Sequence, residues 1–195
     1  MAKKKQRYKP LGQHTAMYGW TGTSPAEFVE RMKLAVIRFR ALKKEHKIDA
    51  IAFCGSSGCA VAFAIASKCK IPLIYVRKEG EKSHSNSIVE CNDKSAIVKK
   101  YLIVDDFVDS GSTVEYIINS ISKFAASKNA FPAFSVGVLC FDDYQDRDRE
   151  IWTPWGPKTC FTVDKPLDEK LKKAVSEFTD ELAQYKTGWP TVDCI

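Results

Sequence analysis

No run of apolar residues in this chain approaches the roughly 18 that would read as a membrane span, so no membrane association is expected. The start, MAKKKQRYKP, is basic, but no apolar stretch follows it, and it does not read as a secretory signal. Seven cysteines are scattered along the chain (Cys54, Cys59, Cys69, Cys91, Cys140, Cys160 and Cys194), with no C-x-x-C pair among them. An odd number without paired spacing argues against a disulfide framework and leaves no legible zinc site. It points to free thiols in a reducing compartment, so a cytoplasmic location is expected. Two phosphate-binding patterns are also missing. No G-x-G-x-x-G follows a predicted strand, and G-x-x-x-x-G-K-[ST] occurs nowhere, which weighs against a plain doubly wound nucleotide binder. Internal repeats are absent.

What is present is a chain of 195 residues with 45% apolar content, enough for one core and one domain. The formal net charge is +6. Most of that excess lies in the first ten residues, where Lys3, Lys4, Lys5, Arg7 and Lys9 stand without an acid. Residues 1–20 therefore read as a flexible basic tail ahead of a single domain over 21–195. The tail is either a solubilising segment or an arm for nucleic acid or another acidic partner. The first reading is preferred, because a nucleic-acid face calls for charge spread through the fold.

Ser24-Pro25-Ala26-Glu27 has the chemistry of a helix start. Phe28, Met32, Ala35, Phe39 and Leu42 then recur at helical spacing, predicting one amphipathic helix that ends near Lys44. Asp49–Cys54 reads as a buried strand, Cys59–Ser67 as a helix packed closely on a sheet, and Ile71–Val76 as the next strand. Residues 77–97 are charged and weakly periodic. Their length suggests a mobile functional loop, with part of it forming an outlying hairpin. Lys100–Val104 reads as a strand, Ser112–Ala126 as a helix and Ala133–Phe141 as another strand. The aromatic-rich segment 141–161 reads as irregular, with hood elements near 142–163. Asp164-Lys165-Pro166 opens a last helix carrying Leu167, Leu171, Val175, Phe178 and Leu182 on one face. Strands alternating with helices predict an α/β fold, a doubly wound, mostly parallel sheet with a small irregular hood and a C-terminal helix. Ligands in such sheets bind at the carboxyl ends of the strands.

One stretch, YLIVDDFVDSGSTV at 101–114, runs an apolar strand into adjacent aspartates and then into a hydroxyl-rich turn. Gly111 permits a tight turn and close approach of a ligand to the backbone. Ser110, Ser112 and Thr113 add hydroxyl donors at the start of a helix, whose free N–H groups attract a phosphate. Asp105 and Asp106 repel that phosphate, but they accept hydrogen bonds from vicinal hydroxyls and serve as ligands for Mg²⁺, directly or through water. A sugar phosphate such as ribose 5-phosphate satisfies both halves.

This stretch resembles the PRPP-binding motif of the type I phosphoribosyltransferases: a hydrophobic strand, two acids, a short spacer and a Ser/Thr-Gly-x-Thr loop. The resemblance implies that Asp105 and Asp106 hold the ribose hydroxyls and that Asp109 to Thr113 wrap the 5-phosphate. It also implies that Gly55, Ser56 and Ser57, in the GSSG segment after the first strand, form the pyrophosphate loop. By its residues alone, GSSG is equally a close-packing turn. Arg77-Lys78-Glu79-Gly80-Glu81-Lys82-Ser83-His84 is similar to the catalytic loop of orotate phosphoribosyltransferases, with one residue more between Glu79 and Lys82. It implies that Lys78, Lys82 and His84 act on the leaving pyrophosphate and that Arg77 helps to bind PRPP. The other reading of that loop is a solvated charged face. Asp109 is similar instead to the acid that handles a ring proton in the 6-oxopurine branch, and it is otherwise a carboxylate at a helix N-terminus. Trp152 or Trp155 is a candidate to stack on the base, as against a packing role. His14, His46 and Trp189 receive no role.

The activity so implied is Mg²⁺-dependent transfer of the 5-phosphoribosyl group of PRPP to a purine or orotate-like nucleobase, with release of pyrophosphate. In metabolism this is a nucleotide salvage step, and the resemblance implies a homodimer. The alternative is a non-catalytic regulator that senses PRPP or nucleotides and binds nucleic acid.

Overall fold

In the computed structural model of the chain, residues 25–56, 58–81, 87–141 and 148–163 are described. The basic tail and the expected last helix lie outside the described residues. The elements run in order: α1 (Pro25–His46), β1 (Ala50–Cys54), α2 (Cys59–Cys69), β2 (Leu73–Val76), β3 (Val89–Cys91), β4 (Lys100–Asp105), α3 (Ser112–Ser127), β5 (Phe134–Cys140), β6 (Arg149–Thr153) and β7 (Gly156–Thr162).

The strands form one seven-stranded sheet in the order β3-β2-β1-β4-β5-β7-β6. Neighbours from β2 through β7 pair parallel, and only the edge strands β3 and β6 pair antiparallel. The mostly parallel α/β sheet expected from the alternation is thus the observed one. β1 is buried throughout, and so is β4 after its first residue, as strands covered on both faces must be.

The two faces are filled by different helices. Phe28, Ala35, Phe39 and Leu42 of α1 and Val61, Ala62 and Ile65 of α2 pack with Phe53, Val104, Leu139 and Phe161 on one side. Val114, Ile117, Ile118 and Ile121 of α3 pack with Ala52, Ile103, Val138 and Cys160 on the other. Each such aliphatic burial contributes about 1.5–3 kcal/mol. The helical spacing read in α1 therefore marks its core face, with Met32 partly buried at the margin.

Two boundaries differ from expectation in ways that bear on function. First, β4 runs one residue further than expected and includes Asp105, which pairs with Cys140. Second, the segment 141–161 is not irregular throughout. β6 and β7 form a hairpin, and β7 extends the sheet by pairing parallel with β5. The turn between them holds Gly156 at φ 86°, and the Thr153 hydroxyl donates to the Gly156 carbonyl at 2.8 Å. Prolines at 154 and 157 hide these strands in the sequence, since proline withholds a ladder donor and usually argues against a strand. Pro157 is tolerated near the start of β7.

The chain passes from β1 outward to β2 and then returns to place β4 on the other side of β1. This reversal leaves a crevice above the carboxyl ends of β1 and β4, where segments 55–58 and 105–111 lie.

Tyr101 of β4 is fully buried, and its hydroxyl has no hydrogen-bond partner among the described residues. Replacing it by phenylalanine removes a desolvated, unpaired group while keeping the ring. Tyr101→Phe is expected to raise the unfolding free energy by about 1 kcal/mol. Urea denaturation reads this, and a loss of that size instead would show that the hydroxyl is bonded.

Candidate functional site

The carboxyl end of β4 delivers two adjacent carboxylates into a cavity. Asp105 is held in the strand ladder, and its carbonyl accepts from the Phe141 amide at 3.2 Å. Asp105 and Asp106 are both only 5% exposed. Backbone amides meet them from the next residue on: the Asp106 N–H donates to Asp105 Oδ1 at 3.1 Å, and the Phe107 N–H donates to Asp106 Oδ1 at 2.9 Å. Such charge-assisted bonds offset part of the desolvation of two neighbouring carboxylates.

The turn that follows is shaped for an anion. Gly111 adopts φ 79° and, having no side chain, gives α3 no N-cap bond; of the first amides, the Ser112 N–H makes a long 3.4 Å bond to Ser110 Oγ. Its carbonyl accepts from the Glu115 amide at 2.9 Å, starting the helix. The Ser110 hydroxyl donates to Ser112 Oγ at 3.0 Å, so both hydroxyls face the same bend. A helix N-terminus left without a side-chain cap offers its N–H groups and positive dipole end to a ligand. The Arg149 guanidinium at the start of β6 donates to the Val108 carbonyl, tying this loop to the hairpin.

One cavity of about 300 Å³ is lined by Lys78 and by every residue from Asp105 to Val114. It therefore brings together Lys78, Asp105, Asp106, Asp109, Ser110, Gly111, Ser112 and Thr113. Lys78 arrives from the end of β2. Its side chain lies across Gly55, where an added Cβ would fall 2.4 Å from Lys78 Cε. Gly55 also adopts φ 66°, and it is this backbone conformation that calls for glycine, since the Lys78 side chain could shift. Gly58 does a different job: an added Cβ there would meet the Val104 carbonyl at 2.2 Å, and its absence lets α2 sit close to β4. The close-packing reading of GSSG thus applies to Gly58. Ser56 lies beside Gly55, and the two line a neighbouring groove of about 670 Å³ together with Lys78, Phe53 and Tyr75.

Arg77 does not line the 300 Å³ cavity. Its guanidinium pairs with Glu90 of β3 at 2.7 Å, which makes it an anchor for the hairpin expected within 77–97. Ser57, Lys82 and His84 lie outside the described residues. Trp152 and Trp155 do not line the cavity. Trp152 pairs with Pro157 near the start of β7, whereas Asp105 pairs with Cys140 and Cys140 with Thr162 at the ends of their strands. The Trp155 indole donates to Asn119 Oδ1 at 3.0 Å, two turns down α3. Neither ring therefore borders the carboxylate cavity. The aromatic ring that does line it is Phe107, between the acids and Asp109. Nothing in the alternation of apolar and polar residues marked Phe107, but its exposure of 40% directly after two buried acids is the signal to look for.

The turn carrying Lys78 has its own electrostatics. Glu81 accepts from the Tyr75 hydroxyl at 2.6 Å and from the Lys78 amide at 3.1 Å. The Tyr75 bond first, and the Lys78 amide second, hold the Glu81 carboxyl below its ordinary range. Burial, then the bond to Glu81, pushes the Tyr75 phenol up to about 12. At the end of β1, burial outweighs the nearby Lys78 ammonium and raises the Cys54 thiol to about 11.

For Mg²⁺, the fit rests on the donor set. Two buried carboxylates share one cavity with three hydroxyls. That suits a cation that takes one or two carboxylates and completes its shell with water and substrate oxygens.

Comparison with known families gives a direct match. Residues 23–151 match the family described as "Phosphoribosyl transferase domain", which is more than half of the chain. The chain belongs to that family. The chain spans less than two thirds of the length of the curated relatives it matches. It is 29% identical over 117 residues to the purine biosynthesis transcriptional repressor PurR of Bacillus subtilis, covering 52% of this chain and 39% of that protein. It is 26% identical over 123 residues to xanthine phosphoribosyltransferase of Lactobacillus gasseri, covering 55% of this chain and 62% of that one. Among solved structures, adenine phosphoribosyltransferase of Saccharomyces cerevisiae is similar at 17% identity with a TM-score of 0.43, covering 60% of this chain and 68% of that one. UMP synthase of Leishmania donovani is similar at 23% identity with a TM-score of 0.43, covering 59% and 23%. No helix among the described residues is long and apolar enough to cross a membrane.

The thiols report on whether this end of the sheet is closed. At pH 8 a thiol with its pKa near 11 is ionised to about one part in a thousand. Iodoacetamide is expected to alkylate exposed Cys91 well before buried Cys54. Mass spectrometry of the modified peptides reads the order, and Cys54 reacting as fast as Cys91 would show the end of β1 open to solvent.

Proposed function

We propose that this protein transfers the 5-phosphoribosyl group of PRPP to a nucleobase, purine or orotate-like, releasing pyrophosphate. The supporting observation is the single cavity that holds both carboxylates of β4, the turn at Asp109–Thr113 and Lys78. In this reading the ribose hydroxyls donate to Asp105 and Asp106. The 5-phosphate takes the N–H groups at the start of α3 and the hydroxyls of Ser110, Ser112 and Thr113. Pyrophosphate lies toward Gly55, Ser56 and Ser57, under Lys78. The C1–O bond breaks with its electron pair leaving on pyrophosphate, and a ring nitrogen of the base bonds to C1. Negative charge grows on the leaving oxygen, where Lys78, joined by Lys82 and His84 from the same loop, stabilises it. Asp109 accepts a proton from the base as the new bond forms. Mg²⁺, when bound near Asp105 and Asp106, neutralises the pyrophosphate. A homodimer in the cytoplasm belongs to the same reading.

A second reading is favoured by two observations. One curated relative is a transcriptional repressor, and five cations with no acid stand in the first ten residues. In that reading the cavity senses PRPP or a nucleotide while the tail contacts nucleic acid.

Incubating the protein with PRPP, Mg²⁺ and a panel of nucleobases, and measuring pyrophosphate release, separates the two. Release with one base supports transfer. No release with any base, together with salt-dependent DNA or RNA binding that is lost when residues 1–10 are removed, supports the regulator. Combining Asp105→Asn with Asp106→Asn is expected to weaken PRPP binding at least about 100-fold while the protein stays folded. Unchanged PRPP affinity by calorimetry in that variant would defeat the assignment. Asp109→Asn is expected to lower turnover more than it weakens PRPP binding; equal losses would reduce Asp109 to a phosphate-loop residue.

A further inference from the structure

The position of Lys78 is imposed by neighbours that take no part in the reaction proposed above. The residue before it is tied on three sides. The Arg77 amide donates to the Ile88 carbonyl at 2.9 Å, its carbonyl accepts from the Tyr116 hydroxyl at 2.8 Å, and its guanidinium pairs with Glu90 at 2.7 Å. Immediately beyond, the chain turns back on itself. The Glu81 amide donates to the Lys78 carbonyl at 3.1 Å, and Gly80 adopts φ 78° to allow the turn. The Glu81 carboxylate then closes it, with Oε2 accepting from the Lys78 amide and Oε1 from the Tyr75 hydroxyl. Tyr75 is itself fixed: its ring stacks on Phe53 with centroids 4.9 Å apart and planes 18° apart.

We propose that Glu81 and Tyr75 form a positioning clamp that holds Lys78 across Gly55, aimed at the pyrophosphate end of the cavity. This rests on the phosphoribosyl transfer reading for the identity of the ligand. The physical reason lies in how Glu81 spends its two oxygens. A lysine on a charged, flexible turn is drawn to the nearest carboxylate. Here both oxygens of Glu81 are occupied by neutral donors, and Lys78 forms no ion pair among the described residues. The ammonium is left available for an anionic ligand. Its four-carbon stem lies over Gly55, which has no side chain to obstruct it. Ordering the lysine before the ligand arrives removes an entropy cost from binding. Neither Tyr75 nor Glu81 lines the cavity that holds the carboxylates and the phosphate turn; both border the neighbouring groove beside Gly55 and Ser56, and their bonds to each other and to the Lys78 amide make them positioning residues that act through Lys78.

The test uses the full chain and the variants Glu81→Ala, Tyr75→Phe and Lys78→Met, with Glu81→Gln as the conservative change. Loss of one charged-acceptor hydrogen bond is expected to speed hydrogen exchange of the Lys78 amide about 10-fold in Glu81→Ala, as read by NMR. Glu81→Gln keeps one carbonyl oxygen and is expected to fall between. Inorganic pyrophosphate binding, measured with Mg²⁺ by calorimetry, is expected to weaken about 10-fold in both Glu81→Ala and Tyr75→Phe, with ribose 5-phosphate binding unchanged. In the Lys78→Met background, Glu81→Ala should cause no further loss of pyrophosphate affinity. A merely structural role would weaken both ligands alike and would add to Lys78→Met. Either of those results, or unchanged exchange at Lys78, overturns the clamp. If the wild-type chain binds neither ligand, the phosphoribosyl transfer reading falls, and the exchange measurement alone then decides the clamp.

Discussion

Two neighbouring carboxylates buried at the end of a central strand set the terms for the rest of this structure. Asp105 and Asp106 repel each other and lose solvent, each being only 5% exposed. A pair like this persists only where hydrogen bonds and a suitable ligand or cation offset that cost. β4 meets the first condition by carrying Asp105 into the ladder with Cys140 and by turning the next two amides back onto the acids. The cavity they share with an uncapped helix N-terminus is arranged to meet the second. A negative end and a positive end lie within one small volume, and a ligand bearing hydroxyls and a phosphate suits both.

The parallel sheet makes that arrangement available. Because β1 and β4 run side by side in the same direction, the loops after both strands open on the same edge. Loop 55–58 and loop 105–111 are brought together there although some fifty residues separate them. The antiparallel β3 then folds the chain after β2 back over this edge, and the turn at Lys78–Glu81 places an ammonium between the two loops. Rigid strands carry the carboxylates, while the cation comes from a turn held by side-chain bonds.

The hairpin at the far edge shows how an aromatic-rich, proline-containing segment can mislead. Pro154 and Pro157 read as breaks, yet the segment pairs as β6 and β7 and lengthens the sheet. Trp152 and Trp155 are carried with it, away from the ends of β4 and β5. A tryptophan near a candidate site in sequence is not near it in space when strand direction carries it toward the opposite edge. Phe107 is the reverse case, an unremarkable position in a strand-to-helix loop that lines the cavity because the acids before it are pinned.

Sequence alone determined the order of α1, β1, α2, β2, β4, α3 and β5, the two-sided burial of the central strands and the residue types at 105–113. Each of those follows from local spacing: helical recurrence in α1, unbroken apolar runs in β1 and β4, and hydroxyls and glycine at a helix start. It also left GSSG divided between two roles, because a glycine's purpose depends on what approaches it. Only the tertiary structure decided that Gly58 accommodates the Val104 carbonyl while Gly55 lies under Lys78. Only it paired Tyr75 with Glu81, and only it showed that Phe107, not a tryptophan, lines the carboxylate cavity. These are contacts between distant strands and turns. They depend on register and strand direction, which no short stretch of residues encodes by itself.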